Sequence, residues 1–476
     1  MTSKVPLPKP FTVPLPIPPV LKPARTDGTT DFYEIVQKPA RAEIIPGSPT
    51  QVWGYNGLFP GPTIVSRSGR RTQVRHRNEL PVPVAVHLHG GKTPAESDGY
   101  PTDLILPGGG GASHQHHGAT GRVSKGAKDY VYPLDQPAAT LWYHDHRMDF
   151  TGPQVWRGLA GFHLVHDDEA DALPLPQGDH DVPLMICDRA FDEDGSFLYP
   201  SVSPDLQGEP GVTEEYMEGV LGDVILVNGA PWPVMEVDNT RYRFRLLNAS
   251  NARRYQLALD PPAAEFVQVG SDVGLLGAPV RHDELPIAPA ERFEVVIDFS
   301  AYPVGTQVTL KNTLGDGGTA DVMRFRVARK AKDDSRVPSR LVEFERLSRS
   351  SATRTRQVNF TQGANDGRVM WTINGKVFDP DRADVESKLG TTEIWRVVTD
   401  VHHPLHIHMA HFQVLSRGSE GRVRPSDAGW KDTMDIPDSE LVEVLVRFTG
   451  YRGRYVFHCH NLEHEDMMMM GNLDVM

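Results

Sequence analysis

The sequence predicts an all-β protein built from β-sandwich or barrel domains, and three observations lead to this prediction. Short segments alternate polar and apolar residues, as at 241–246 and 323–327, which is the period of strands with one buried face. The 476 residues include 43 glycines and 40 prolines, and long windows lack helical periodicity. A turn motif also recurs along the chain, so we expect copies of one antiparallel unit.

The recurring motif is Asn-Gly followed by a hydrophobic-Pro group, and it occurs at Asn56, Asn228 and Asn374. Its copies lie 172 and 146 residues apart, and each precedes a comparable strand. Three copies of one domain fit this spacing better than three unrelated domains do. We therefore expect three domains, over residues 1–170, 171–335 and 345–476.

Composition and charge argue against several classes of protein. There are 49 Lys and Arg against 62 Asp and Glu, a formal net charge of −13, which argues against a nucleic-acid partner. No apolar run approaches the roughly 18 residues of a membrane span, so no membrane association is expected. Two cysteines allow at most one disulfide, so this is not a disulfide-built module, and Cys187 is expected to be buried in a strand.

The N-terminal segment, residues 1–23, contains eight prolines and no basic region followed by an apolar stretch. We therefore expect no signal peptide. A Pro-rich arm of this kind is predicted to lie extended along the body of the protein or to remain mobile.

Ten of the 20 histidines fall into four short clusters: His87 and His89; His144 and His146; His403, His406 and His408; and His458, His460 and His464. Each cluster contains His-x-His, and residues i and i+2 of a strand point to one face. Eight imidazoles from four strands can then converge. Neutral imidazole is a good ligand for copper, zinc, iron and nickel, so the other ligands must decide the metal.

Cys459 lies between His458 and His460, so its sulfur is expected on the opposite face of the strand, in a second site. His403, His464 and Met469 are the candidates to complete that site. A thiolate, two imidazoles and a weak thioether are the ligands of a blue-copper electron-transfer centre. Electrons would pass from it through the backbone of Cys459 to the flanking histidines. Because residues 467–470 are all methionine, a neighbour of Met469 is the alternative thioether ligand.

A zinc hydrolase or a structural metal site is the alternative explanation of these residues. Structural zinc needs about four ligands, and hydrolytic zinc keeps an open position. Neither accounts for twelve candidate ligands in two separate sets. The neighbour of His403, His402, is the less favoured ligand.

The four clusters read in order His-Leu-His-Gly at 87–90, Trp-Tyr-His-Asp-His at 142–146, His-Pro-Leu-His-Ile-His at 403–408 and His-Cys-His-x3-His-x4-Met at 458–469. This series resembles the multicopper oxidases. Segments 53–63, 97–101 and 429–433 more closely resemble the bacterial spore-coat laccases, which also resemble bilirubin oxidases. The resemblance covers essentially the whole chain and implies three cupredoxin-like Greek-key domains.

The resemblance also implies four copper ions. Type 1 copper would be held by His403, Cys459, His464 and Met469. Type 2 copper would be held by His87 and His406. The type 3 pair would be held by His89, His144, His146, His408, His458 and His460. The middle domain has no His-x-His, which suggests a spacer and part of the substrate rim, with the copper cluster between the first and third domains.

The implied reaction takes single electrons from a small organic donor, such as a phenol, an aromatic amine or a bilirubin-like molecule, and reduces dioxygen to water. Asp98 and Glu465 match acidic residues of the family and are expected to relay protons. The alternative, that they only orient a histidine, stays open. The expected location is the cytoplasm or a spore coat, and the expected state is a monomer.

Other activities remain to be distinguished. A metallo-oxidase acting on Cu(I) or Mn(II) is the nearest alternative, and a non-catalytic copper-binding coat protein is the alternative from another class. His114, His116 and His117 follow a glycine-rich stretch, where a solvated loop is expected and an accessory metal site is the alternative.

Overall fold

The computed structural model describes residues 1–109, 121–365 and 367–476. Strands dominate it, which confirms the all-β prediction. Within the described residues the α-helices are three short ones, α1 Thr151–Trp156, α2 Asp168–Asp171 and α3 Leu462–Asp466. Within these ranges, no helix has the length and apolar character needed to cross a membrane.

The first group of strands forms two main sheets and a small two-stranded one. Its members are β1 Arg25–Thr26, β2 Thr30–Ile45, β3 Ser48–Tyr55, β4 Ile64–Arg67, β5 Arg71–Asn78, β6 Val86–His89, β7 Ile105–Leu106, β8 Ser124–Lys125, β9 Ala127–Tyr132, β10 Ala139–Asp145 and β11 Ala160–His166. One sheet has the order β1-β2-β5-β9, with β3 also paired to β2. The other has the order β4-β11-β10-β6, and β7 pairs with β8.

The second group also forms two sheets. Its strands are β12 Asp181–Arg189, β13 Val224–Val227, β14 Ala230–Pro231, β15 Val234–Asp238, β16 Arg241–Asn248, β17 Tyr255–Asp260, β18 Phe266–Ser271, β19 Gly274–His282, β20 Glu284–Ile287, β21 Arg292–Asp298, β22 Gln307–Asn312 and β23 Asp321–Arg329. The sheet orders are β14-β13-β12-β16-β21-β18-β19 and β15-β23-β22-β17-β20.

The third group repeats the two-sheet arrangement. Its strands are β24 Ala352–Asn365, β25 Arg368–Ile373, β26 Val385–Ser387, β27 Thr392–Thr399, β28 Leu405–Ile407, β29 His411–Arg417, β30 Thr433–Met434, β31 Leu441–Arg447, β32 Gly453–Cys459 and β33 Met470–Val475. The sheet orders are β25-β24-β27-β31-β29 and β26-β33-β32-β28-β30.

The Asn-Gly motif has the same structure in each group. Asn56, Asn228 and Asn374 have φ of 56°, 51° and 54°, and the glycine after each also has positive φ, a conformation that Asn and Gly tolerate best. Each Asn Oδ1 accepts a hydrogen bond from a backbone N–H of a neighbouring strand, at 2.8–2.9 Å. Each group also contains a long parallel strand pair, β2 with β5, β12 with β16 and β24 with β27. These repeated features support the proposed division into three domains.

Strand β16 departs from the expected half-buried pattern, because nearly all of it is buried. Arg243 and Arg245 are paired with Glu294, and Arg245 also with Asp181. Thr140 of β10 donates a hydrogen bond to Glu294, so the first group of strands covers this face. Alternation predicted a solvent-exposed face, but packing between the first and second groups of strands buries it with its charges paired.

The N-terminal arm lies extended along the protein, one of the two expected arrangements. The Phe11 N–H donates to the Trp232 carbonyl at 2.8 Å, and the Leu15 N–H donates to Val234 at 2.9 Å. Further along, the Leu21 N–H donates to Thr63 at 2.8 Å. The arm therefore bridges the second and first groups of strands.

Candidate metal centre

The four histidine clusters lie at the ends of two strand pairs. Strand β6 pairs with β10, which places His87 opposite His144. Strand β28 pairs with β32, which places His406 opposite His458. His89 ends β6, and His403 lies just before β28. His146, His408 and His460 directly follow β10, β28 and β32, and His464 lies in α3. All ten histidines are buried.

Eight imidazoles converge between the first and third groups of strands. The ring of His87 stacks on His408, and the ring of His89 stacks on His406, each with centroids 3.7 Å apart. Burial lowers the pKa of His144 to about 3, with neighbouring His146 as a further cause. A neutral imidazole keeps a nitrogen lone pair for a metal.

His87 and His406 form a pair across this interface, with their Nε2 atoms 3.4 Å apart. The Nδ1 of His87 donates to the Asp98 carbonyl at 2.6 Å, and that of His406 donates to the Asp432 carbonyl at 2.9 Å. These bonds fix each tautomer, so both Nε2 lone pairs face the same space. A Cβ on Gly99 would lie 2.1 Å from the Val86 carbonyl oxygen, so glycine lets the loop carrying Asp98 approach β6.

His146, His408 and His458 form a second set. The Nε2 of His458 lies 3.3 Å from that of His146 and 3.2 Å from that of His408. On the far side of the rings, Asp98 accepts from His408 Nδ1 at 2.8 Å. Glu465 lies 3.3 Å from His146 Nδ1 and 3.1 Å from His458 Nδ1. The carboxylates of Asp98 and Glu465 thus lie on the Nδ1 side of three imidazoles whose Nε2 atoms are close together.

His89, His144 and His460 form a third set, with ring centroids 5.1–5.7 Å apart. The Nδ1 of His89, the Nε2 of His144 and both nitrogens of His460 are buried with no hydrogen-bond partner in the described chain. Burying a polar atom unpaired costs free energy, so buried polar atoms are nearly always paired. Unpaired nitrogens on three adjacent rings therefore fit a bound metal.

Cys459 lies in a separate set with His403 and His464. Its Sγ is 3.4 Å from His403 Nδ1 and 3.6 Å from His464 Nδ1. Trp371 packs over His464, with centroids 3.8 Å apart. Burial raises the pKa of the Cys459 thiol, so a thiolate here needs a cation beside it. A soft metal satisfies that requirement.

The alternative ligands for the Cys459 site, which are the neighbouring methionines and His402, pack in different places. Met469 and Cys459 belong to one buried apolar cluster. Met468 and Met470 pack in another cluster, against Tyr100 and Phe378. The structure also brings His403 to Cys459, whereas His402 Nε2 bonds to Asp435 at 2.8 Å.

Asp98 and Glu465 lie behind the imidazoles. Burial raises the pKa of Asp98 well above its ordinary range. Burial alone would also raise the pKa of Glu465, but the imidazoles of His146 and His458 lower it. Thr151 donates a hydrogen bond to Glu465 at 2.7 Å.

Arg292 and Asp432 support the centre, and the sequence reading missed both roles. The Asp432 carboxylate accepts from the Arg292 guanidinium at 2.7 and 2.5 Å, and it lies 3.0 Å from His89 Nε2. Its neighbour Lys431 lies 3.2 Å from both Asp272 and Glu291. In the sequence, segment 429–433 stands out only by its resemblance to the laccases. The buried partners of Lys431 and Asp432 lie about 140–160 residues away, so no local pattern predicts these pairs. His114, His116 and His117 lie outside the described residues.

Comparisons with known proteins agree with this chemistry. Two family models described as multicopper oxidase match residues 38–170 and 350–476. The chain is 37% identical to a laccase of Bacillus subtilis (strain 168), covering 98% of both chains. It is also 37% identical to a bilirubin oxidase of Albifimbria verrucaria, covering 97% of this chain and 80% of that one.

A crystal structure of a multi-copper oxidase from Pediococcus acidilactici has a TM-score of 0.84 and 32% identity, covering 100% of this chain and 93% of that chain. The resemblance found in the sequence is therefore confirmed, and with it the cupredoxin-like fold. The chain belongs to the multicopper oxidase family and is a copper-dependent oxidoreductase that uses dioxygen as its acceptor.

Proposed function

We propose that this protein is a laccase-like oxidase that couples oxidation of a small organic donor to reduction of dioxygen to water. The observation that carries the proposal is the position of Cys459. Its sulfur contacts His403 and His464, while its sequence neighbour His458 faces His146 and His408. One strand thus joins a one-electron site to a multi-histidine site.

The residues suit four copper ions in two places. His403, Cys459, His464 and Met469 would hold type 1 copper. His87 and His406 would hold type 2 copper through Nε2. The type 3 pair would be held by two triads, His146 with His408 and His458, and His89 with His144 and His460. Bound copper would supply one-electron oxidation of the donor and four-electron reduction of dioxygen.

The supporting residues set which atoms of these histidines are free to bind. The Asp98 carboxylate accepts a hydrogen bond from His408 Nδ1, and the Asp432 carbonyl accepts one from His406 Nδ1. Both histidines therefore keep Nε2 for the metal. At His89 the two ring nitrogens exchange roles. Asp432 and Thr433 contact Nε2, and Nδ1 is left unpaired among the described residues. We therefore propose that His89 binds through Nδ1.

Proton supply is the role proposed for Asp98 and Glu465. Reducing dioxygen to two waters consumes four protons, and the site is buried. Asp98 keeps one carboxylate oxygen, Oδ1, without a hydrogen bond from the described residues, while the other accepts from His408. Glu465 is held by the Thr151 hydroxyl beside two imidazoles. Each carboxylate is placed to hold a proton next to the cluster as well as to orient it.

The donor class completes the proposal: a phenol, an aromatic amine or a bilirubin-like molecule, oxidised by a monomer located in the cytoplasm or a spore coat. Similarity to a laccase and a bilirubin oxidase supports an organic donor. The test is dioxygen uptake by copper-loaded protein with each organic donor, compared with Cu(I) or Mn(II) alone. Saturable uptake with only a metal ion would replace this proposal with a metallo-oxidase. If neither an organic donor nor a metal ion causes dioxygen uptake, the protein is a non-catalytic copper protein.

A further inference from the structure

A cavity of about 210 Å³ lies where the three groups of strands meet. Lys92 comes from the first group, Val273 from the second, and His411, Trp430 and Arg447 from the third. Glu345, from the segment that joins the second and third groups, also lines it. The cavity is thus built from all three groups of strands, and no candidate copper ligand is among its described lining residues.

Lys92 brings an uncompensated positive charge to this cavity. Its side chain is partly buried, and its ammonium group has no hydrogen bond or ion pair with any residue that the structure describes. Burial lowers its pKa, and the nearby Arg447 guanidinium lowers it further. Partly withdrawing an ammonium from water with no opposite charge beside it is unfavourable, so an anion at this place would be stabilising.

The other charged groups leave the cavity with a net positive charge. Glu345 is its one carboxylate among the described lining residues, and both its oxygens are bound to the Arg447 guanidinium. His411 donates from Nε2 to the Gly90 carbonyl at 3.2 Å, and burial lowers its pKa to about 3, so it is neutral. Two cations therefore face one carboxylate that is already paired.

We propose that this junction binds a small oxyanion, either an organic carboxylate or inorganic phosphate, through the Lys92 ammonium. The cavity has room for such a group, and Trp430 and Val273 offer apolar contacts to a short organic body. A ligand here would contact all three parts of the chain, so its binding would stabilise the folded protein. This site is independent of the proposed oxidase function.

Calorimetric titration of copper-loaded protein, at constant ionic strength in sodium chloride, tests the proposal with two probes, sodium phosphate and sodium benzoate. We expect saturable binding of at least one probe, and the arm that binds identifies the class of anion. Lys92→Met should weaken binding by about tenfold or more, as loss of a charged hydrogen bond does. Lys388→Met removes the same charge from an exposed site and should leave affinity unchanged.

Two further variants keep the test decisive. Lys92→Arg retains the charge and should retain binding, which separates loss of the site from misfolding. Glu345→Gln removes the carboxylate and releases Arg447, so it should tighten binding several-fold. The proposal is overturned if wild-type protein binds neither probe at up to about 10 mM, a concentration at which even millimolar sites fill. It is also overturned if Lys92→Met binds as tightly as wild type.

Discussion

His403 Nδ1 lies 3.4 Å from the sulfur of Cys459, although the residue just before Cys459 belongs to a different site. His458 points its Nε2 at His146 and His408 instead. Successive residues of a strand face opposite ways, so β32 carries a ligand of one candidate site on each face. Four predictions follow from these contacts and from the packing around them.

Cys459→Ser should abolish the intense visible copper-thiolate band and reduce donor oxidation by at least about 100-fold, because a hydroxyl cannot supply the soft thiolate. Most of the remaining copper should still bind. Absorption spectra and copper analysis check this. Cys187→Ser is the matched control and should stay blue. Cys187 is buried in β12 and belongs to none of the potential metal-binding groups among the described residues. A blue Cys459→Ser protein would refute the type 1 assignment.

His406→Ala or His87→Ala should remove or disorder type 2 copper, because the paired Nε2 atoms are 3.4 Å apart and each variant deletes one of them. The protein should remain blue and still accept electrons from a donor, yet fail to reduce dioxygen. Anaerobic bleaching followed by admission of air measures both steps. Rapid return of the blue colour would contradict the prediction.

Met469→Leu should raise the type 1 reduction potential by tens of millivolts, because it removes a weak thioether ligand while keeping a similar volume. A shift of about 59 mV corresponds to tenfold in the relative affinity for the two copper oxidation states. Met468→Leu and Met470→Leu should have little effect, since both side chains pack in the other cluster. Redox titration at the blue band compares the three variants. If the potential shifts in Met468→Leu or Met470→Leu instead, the assignment of Met469 as the ligand is wrong by one residue.

Glu294 should make stability depend on pH. Burial alone would raise its pKa, but Arg243 and Arg245 lower it to about 2 from an ordinary 4.5. The folded pKa is depressed, so the stabilisation is complete above about pH 4.5 and is lost as pH falls through 2, at roughly 3 kcal/mol in all. Urea unfolding of wild type and Glu294→Gln should therefore differ most at neutral pH and converge in acid. Glu169→Gln, at an exposed position, should match wild type. A difference that stays constant with pH would contradict this account.

Features that depend on backbone period and turn chemistry could be predicted from the order of residues alone. Alternation predicted the strands, and the recurring Asn-Gly motif predicted copies of one unit, each of which has an Asn with positive φ in the structure. His-x-His placed two imidazoles on one face, and the intervening Cys459 on the other. These features are local, because the period of a strand and the conformational freedom of Asn and Gly need no distant partner.

Which atoms meet depends on how distant strands pack together, and this could be seen only in the fold. It brings His403 rather than His402 to Cys459, and it turns His89 so that Nδ1 is the unpaired nitrogen. It buries the arginines of β16 against the first domain, where alternation predicted solvent. It also places Arg292 on Asp432, 140 residues away in sequence. Such contacts depend on packing between distant elements, where the free energy of pairing a buried charge or filling a core decides the outcome, and no local pattern encodes that choice.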